Sequence, residues 1–127
     1  MNSKAVKPAI HGIIDYVFSA IQMGAPSAMG LNKKAVKTYQ VLGAGFLTVN
    51  ALTDTKVGIK PLISFKGHQK TDAGFLATLA LLTFTKPILK HKKTLRFHLA
   101  FLGTAITYYV LSDYNAGYPT NHERVYR

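Results

Sequence analysis

Four apolar segments alternate with polar stretches along the chain: residues 9–31, 35–53, 72–89 and 95–112. The run FLATLALLTF, residues 75–84, carries no charge on any side. A helix rises 1.5 Å per residue, so 18–20 such residues reach about 27–30 Å, the depth of a bilayer core. Apart from Asp72, which opens the third segment, the charges within the segments are Asp15, Lys37, Lys86 and Arg96, each within about two turns of a segment end,. Small residues crowd the interiors: Gly43, Ala44 and Gly45 in the second, Ala73, Gly74, Ala77 and Ala80 in the third, Ala100, Gly103, Thr104 and Ala105 in the fourth. Glycine inside a helix costs about 1 kcal/mol in water but lets helices approach closely in lipid. This pattern predicts four transmembrane helices.

Two short signatures recur. His11 and Asp15 form an H-x3-D, and so do His68 and Asp72. Leu52-Thr53-Asp54 with Gly58 is matched by Leu111-Ser112-Asp113 with Gly117. The chain therefore reads as one domain, residues 1–127, holding a tandem repeat: residues 11–58 and then 68–117. Pro26 and Pro87 fall late in the first and third segments and predict helix stops or kinks. Short basic turns follow them, so each repeat reads as a helical hairpin. The expected fold is all-α: two tandem hairpins related by a pseudo-two-fold axis along the membrane normal.

Charge refines this topology. Net charge is +11 over 127 residues, with 48% hydrophobic and 17% charged positions. All five acidic residues (Asp15, Asp54, Asp72, Asp113, Glu123) fall at the end that bears both termini. Lys and Arg divide evenly, with Lys33, Lys34, Lys37, Lys86, Lys90, Lys92, Lys93 and Arg96 at the turn end. The expectation is a multi-pass protein of the bacterial inner membrane with its basic turns in the cytoplasm. The connector, residues 54–71, is expected to lie in the interface with Lys56, Lys60, Lys66 and Lys70 toward lipid head groups. Tyr109, Tyr114 and Tyr118 read as interface anchors, and residues 121–127 as a disordered tail. The N-terminal apolar run superficially resembles a signal peptide, but it carries His11 and Asp15 and is one copy of a repeat.

The candidate chemistry is a polar cluster. Cysteine is absent, which removes thiolate ligands and thiol catalysis,. No nucleophile elbow, phosphate-binding glycine loop or H-E-x-x-H is present. In a helix, positions i and i+4 share a face, so each H-x3-D pair points one way. The repeat brings His11, Asp15, His68 and Asp72, with the helix-end Asp54 and Asp113, to one end of the bundle. Imidazoles with carboxylates can bind a divalent metal, relay protons or simply hold a fold together. The metal candidates are His11, Asp15, His68 and Asp72. His98 stands alone as a possible haem ligand.

Each hairpin has an apolar helix reaching a proline, a basic or polar turn, and a second helix bearing glycine: Gly24-Ala25-Pro26-Ser27 with Gly30, Gly43 and Gly45, then Lys86-Pro87 with Gly103. This resembles the small bacterial membrane proteins with SPW-type repeats. The resemblance implies a multi-pass inner-membrane protein and supplies no reaction. The sequence thus points to a small integral membrane protein for binding, scaffolding or ion and proton handling, with no enzyme activity or cofactor assigned. Its partners are the lipid bilayer and, as an open option, further copies of itself, with no nucleic acid expected. The alternatives are a membrane redox or metal- or haem-binding protein, and a basic helical nucleic-acid-binding protein.

Overall fold

In the computed structural model, residues 4–115 are described and form five helices: α1 (Pro8–Ala28), α2 (Lys33–Ala51), α3 (Phe65–Leu82), α4 (Lys86–Leu89) and α5 (Lys92–Leu111). Among the described residues, no helix is long and apolar enough to cross a membrane. This overturns the four transmembrane helices, the axis along a membrane normal and the multi-pass inner-membrane location. The reason lies at the helix ends. Helix α3 begins with Phe65-Lys66-Gly67-His68-Gln69-Lys70, so its first two turns are polar. Helices α2 and α5 start on paired lysines and then bring in Lys37 and Gln40, or Arg96 and His98. Residues 116–127 lie outside the described residues, so the expectations for Tyr118 and the tail fall outside as well.

The two prolines act differently from a simple stop. Pro26 sits inside α1, which continues to Ala28. Gly30 ends that helix: its φ is +67°, which glycine adopts without a Cβ penalty,. Its N–H then reaches Ser27 O at 3.0 Å and the Leu31 N–H reaches Pro26 O at 3.0 Å, the paired bonds of a Schellman stop,. Pro87 opens the one-turn helix α4, where its missing N–H costs nothing,. This adds a fifth helix to the expected four.

Helix α1 packs closely along α2, and α3 lies more loosely beside α5. Gly43 explains the difference. A Cβ there would press on Met23, Gln22 and the Ser19 carbonyl of α1. In the register set by Leu52-Thr53-Asp54 and Leu111-Ser112-Asp113, the position aligned with Gly43 is Leu102, a larger side chain packed against the core. The apolar core is Tyr39, Leu79, Phe101 and Ala105, flanked by Phe18, Phe75 and Leu76 among others. Large apolar side chains also face outward, including Val41, Leu81 and Phe84.

Two isolated parallel bridges tie the units together: Val6 with Ser112, and Thr53 with Ile63. Val6 precedes His11 by the same interval as Ile63 precedes His68. The bonds match too. Asp113 N–H donates to Val6 O at 2.7 Å, and Asp54 N–H donates to Ile63 O at 2.7 Å. The connector therefore folds back onto the end of α2 as a strap instead of forming an amphipathic interface segment. Gly58 makes that strap possible, because a Cβ there would collide with the Thr53 carbonyl. Gly58→Ala is expected to lower the unfolding free energy by about 1–3 kcal/mol through this overpacking. A denaturant midpoint equal to that of the parent chain would contradict the strap.

Candidate metal centre

The ring of side chains is built from two helix starts. Pro8 opens α1 and Phe65 opens α3, so His11 and His68 both occupy the fourth helical position. Ser64 caps α3 by accepting from Gly67 N–H at 2.9 Å, which fixes where that turn begins,. One turn further on, Asp15 and Asp72 lie on the same face as their histidines. All four side chains are buried.

They close into an alternating ring. His68 Nε2 lies 2.8 Å from Asp15 Oδ2 and 3.2 Å from Asp72 Oδ1. His11 Nε2 lies 3.1 Å from Asp72 Oδ2 and 3.2 Å from Asp15 Oδ2. One ligand atom from each residue falls within 4.8 Å of all the others. A tetrahedral metal with bonds of about 2.0–2.1 Å has ligand-to-ligand edges of about 3.3 Å. The His–carboxylate edges, 2.8 to 3.2 Å, are near that length, and the set as a whole, spanning 4.8 Å, would draw in around an ion.

The outer ring nitrogens show which protons are present. His11 Nδ1 lies 2.8 Å from Ser112 Oγ, and His68 Nδ1 lies 2.7 Å from Thr53 Oγ1. Each hydroxyl has one proton, and each has spent it: Ser112 donates to Tyr108 O at 2.7 Å, Thr53 to Val49 O at 2.6 Å,. The hydroxyls must therefore accept, so both Nδ1 atoms carry hydrogen. Both Nε2 atoms face carboxylates. A neutral Nε2 would set a lone pair against an anion, so each requires either a proton or a shared cation. Two imidazoliums with two carboxylates sum to zero charge. So do a divalent cation, two neutral imidazoles and two carboxylates. Both fillings satisfy the buried ring.

Tyrosines complete the surround. The Tyr108 hydroxyl lies 2.6 Å from His11 O and 3.0 Å from Asp15 Oδ1 and shares its one proton between them, and Tyr114 donates to Asp72 Oδ2 at 2.6 Å. Asp72 Oδ1 has the 3.2 Å ion-pair contact with His68 Nε2 but no well-aligned hydrogen bond. Tyr108 stacks on His11 with ring centroids 4.6 Å apart. Burial pulls the His68 imidazole down, but the bonds and charges of Asp15 and Asp72 outweigh it and hold its pKa at about 9. The same balance raises His11. Burial pushes the Asp72 carboxyl up, and the facing histidines and Tyr114 bring it down to about 2. Burial beside these carboxylates raises both phenols.

The remaining sequence candidates lie elsewhere. Asp113 pairs with Lys7 at 2.9 Å, and that hydrogen bond lowers its pKa. Asp54 is buried at the strap and is not in the ring. Lys66 and Lys70 are on α3, where Lys66 bonds to Gln69 and Asn115; Lys56 and Lys60 are on the strap. His98 accepts from Tyr39 at Nδ1 (2.6 Å) and donates from Nε2 to Leu79 O (2.8 Å), so neither nitrogen is free for haem iron. Thr53, Ser112, Tyr108 and Tyr114 are the functional residues that sequence reasoning missed. The hydroxyl shared by LTD and LSD was the available signal for the first two. No family model, no curated protein and no solved structure matches the chain.

Proposed function

We propose that the chain binds one divalent transition metal ion, of the zinc class, through His11 Nε2, His68 Nε2, Asp15 and Asp72. The observation that carries this reading is the buried ring of two histidines and two aspartates, whose ligand atoms gather within 4.8 Å, with both histidines oriented from behind by hydroxyls. Metal-bound histidines commonly donate their second N–H to such an outer partner. Imidazole and carboxylate donors together suit zinc and its neighbours better than magnesium or calcium. Four protein ligands leave no open position, which is the mark of a structural or regulatory site and not of a hydrolytic one. The metal would join α1 to α3, the starts of the two repeat units, and so clamp them together.

Loading exchanges two protons for one cation and leaves the buried charge unchanged. Metal-free protein dialysed against zinc and then against buffer should retain about one equivalent, and magnesium should not be retained. His68→Ala should lose the zinc while keeping its helical circular dichroism at neutral pH. Retention no greater than that of the variant would contradict the proposal. A second reading, a purely protonic ring that stores two protons, rests on the same zero charge balance. The dialysis separates the two.

A further inference from the structure

The far pole of the molecule lies about 25 Å from His11 along α1. It gathers Lys33, Lys34, Lys37, Lys86, Lys90, Lys92, Lys93 and Arg96. Every carboxylate of the described residues (Asp15, Asp54, Asp72 and Asp113) lies at the other end of the helices. Among the described residues the one lysine ion pair is Lys7 with Asp113, so no carboxylate of a described residue neutralises these cations.

A groove runs through this pole, lined by Lys33, Lys34, Lys86, Lys90 and His91, all exposed, with Asn32 between them. One adjoining groove shares Lys34 with it and another shares Lys33, and Lys37 lines both of these neighbours. Asn32 fixes the walls. Its Oδ1 accepts from Ala35 N–H at 3.0 Å, and its Nδ2 donates to Pro87 O at 2.6 Å and to Thr94 Oγ1 at 3.2 Å. The starts of α2, α4 and α5 are thereby held together. Helix α5 adds its own positive end, because His91 gives it no side-chain cap,. Like charges held this close repel one another, and an anion between them relieves the repulsion.

We propose that this groove binds a phosphate-bearing ligand with more than one anionic oxygen cluster, its phosphoryl groups set among the four lysine ammoniums. Lysine suits this role as a mobile point charge for phosphate. The cations cap one end of the molecule and do not form a stripe along it, which fits a short ligand better than a long duplex.

Inorganic triphosphate is the probe, titrated calorimetrically at low and at physiological salt. In a parallel arm, phosphatidylcholine vesicles with and without phosphatidic acid are sedimented with the protein. The variant K33Q/K34Q/K86Q/K90Q changes only exposed side chains, and K56Q/K60Q/K66Q/K70Q changes four lysines outside the groove. The groove variant should weaken binding at least tenfold, about 1.4 kcal/mol, and the control less than about threefold. Groove-dependent binding of triphosphate assigns a free ligand, and groove-dependent binding of the acidic vesicles alone assigns a lipid headgroup. Absence of both, equal weakening in the two variants, or binding of duplex DNA alone overturns the proposal.

Discussion

Asp15→Asn is expected to cost about 3–5 kcal/mol of stability and to abolish metal binding. Asp15 Oδ2 faces both histidines, at 2.8 and 3.2 Å, and its Oδ1 takes the Tyr108 hydroxyl at 3.0 Å. The amide keeps the shape and removes the charge. Asp72 is then the single anion left to balance two buried imidazoles, and one of them must give up its proton inside the protein. The metal loses a ligand for the same reason. A fair comparison is Lys7→Met, which breaks an ion pair whose lysine is 48% exposed and should leave stability nearly unchanged,. Urea unfolding of both variants measures the contrast. An asparagine variant as stable as the parent would mean that the ring carries no charge.

The second large effect is on pH. The folded pKa of His68, about 9, lies above its ordinary 6.5, so its contribution is complete below pH 6.5 and is lost as pH rises through 9,. The folded pKa of Asp72, about 2, lies below its ordinary 3.8, so its contribution is complete above pH 3.8 and is lost as pH falls through 2,. Metal-free protein should therefore be most stable between these limits, near pH 4 to 6.5, and His68 alone should forfeit on the order of 3 kcal/mol on the alkaline side,. Metal works in the opposite direction. It needs both imidazoles neutral, so while both are protonated its apparent affinity should rise about a hundredfold per pH unit. Saturating zinc should then abolish the alkaline loss. Denaturant midpoints across this range, with and without zinc, give the result, and a flat profile in both would contradict the ring's charge balance.

The polar cluster was legible because it is local and repeated. An H-x3-D on a helix places both groups on one face whatever surrounds it, and two copies invite a meeting. What local spacing could not show was the partner exchange. His11 takes its hydroxyl from Ser112 of the second unit, and His68 takes its own from Thr53 of the first. Asp54 and Asp113 drew attention as carboxylates at helix ends, yet one residue's step around the chain puts Thr53 and Ser112 against the ring instead. The Tyr39–His98 pair was hidden for a related reason. These two residues occupy aligned positions in α2 and α5, but a tyrosine and a histidine do not look like a repeat.

The helix boundaries were less legible. Counting outward from apolar runs started α3 at Asp72, whereas its first turns are polar and begin at Phe65. Those turns are buried on one side by the ring, so a polar residue there is an inward residue. The same inversion appears in Gln22 and Asn50, which are buried, while Leu81 and Phe84 face outward. Apolar content alone could not separate a helix that crosses a membrane from one that wraps a polar centre.

Cobalt substitution tests the proposed metal centre most directly. Metal-free protein titrated with Co2+ should reach an end point at about one equivalent, with the intense visible absorption of a four-coordinate site, and zinc should then displace it. The absorption should be missing in Asp15→Asn and His68→Ala. A pale spectrum of an octahedral, water-rich ion, or a spectrum unchanged in those variants, would show that the ring of His11, Asp15, His68 and Asp72 does not hold the metal.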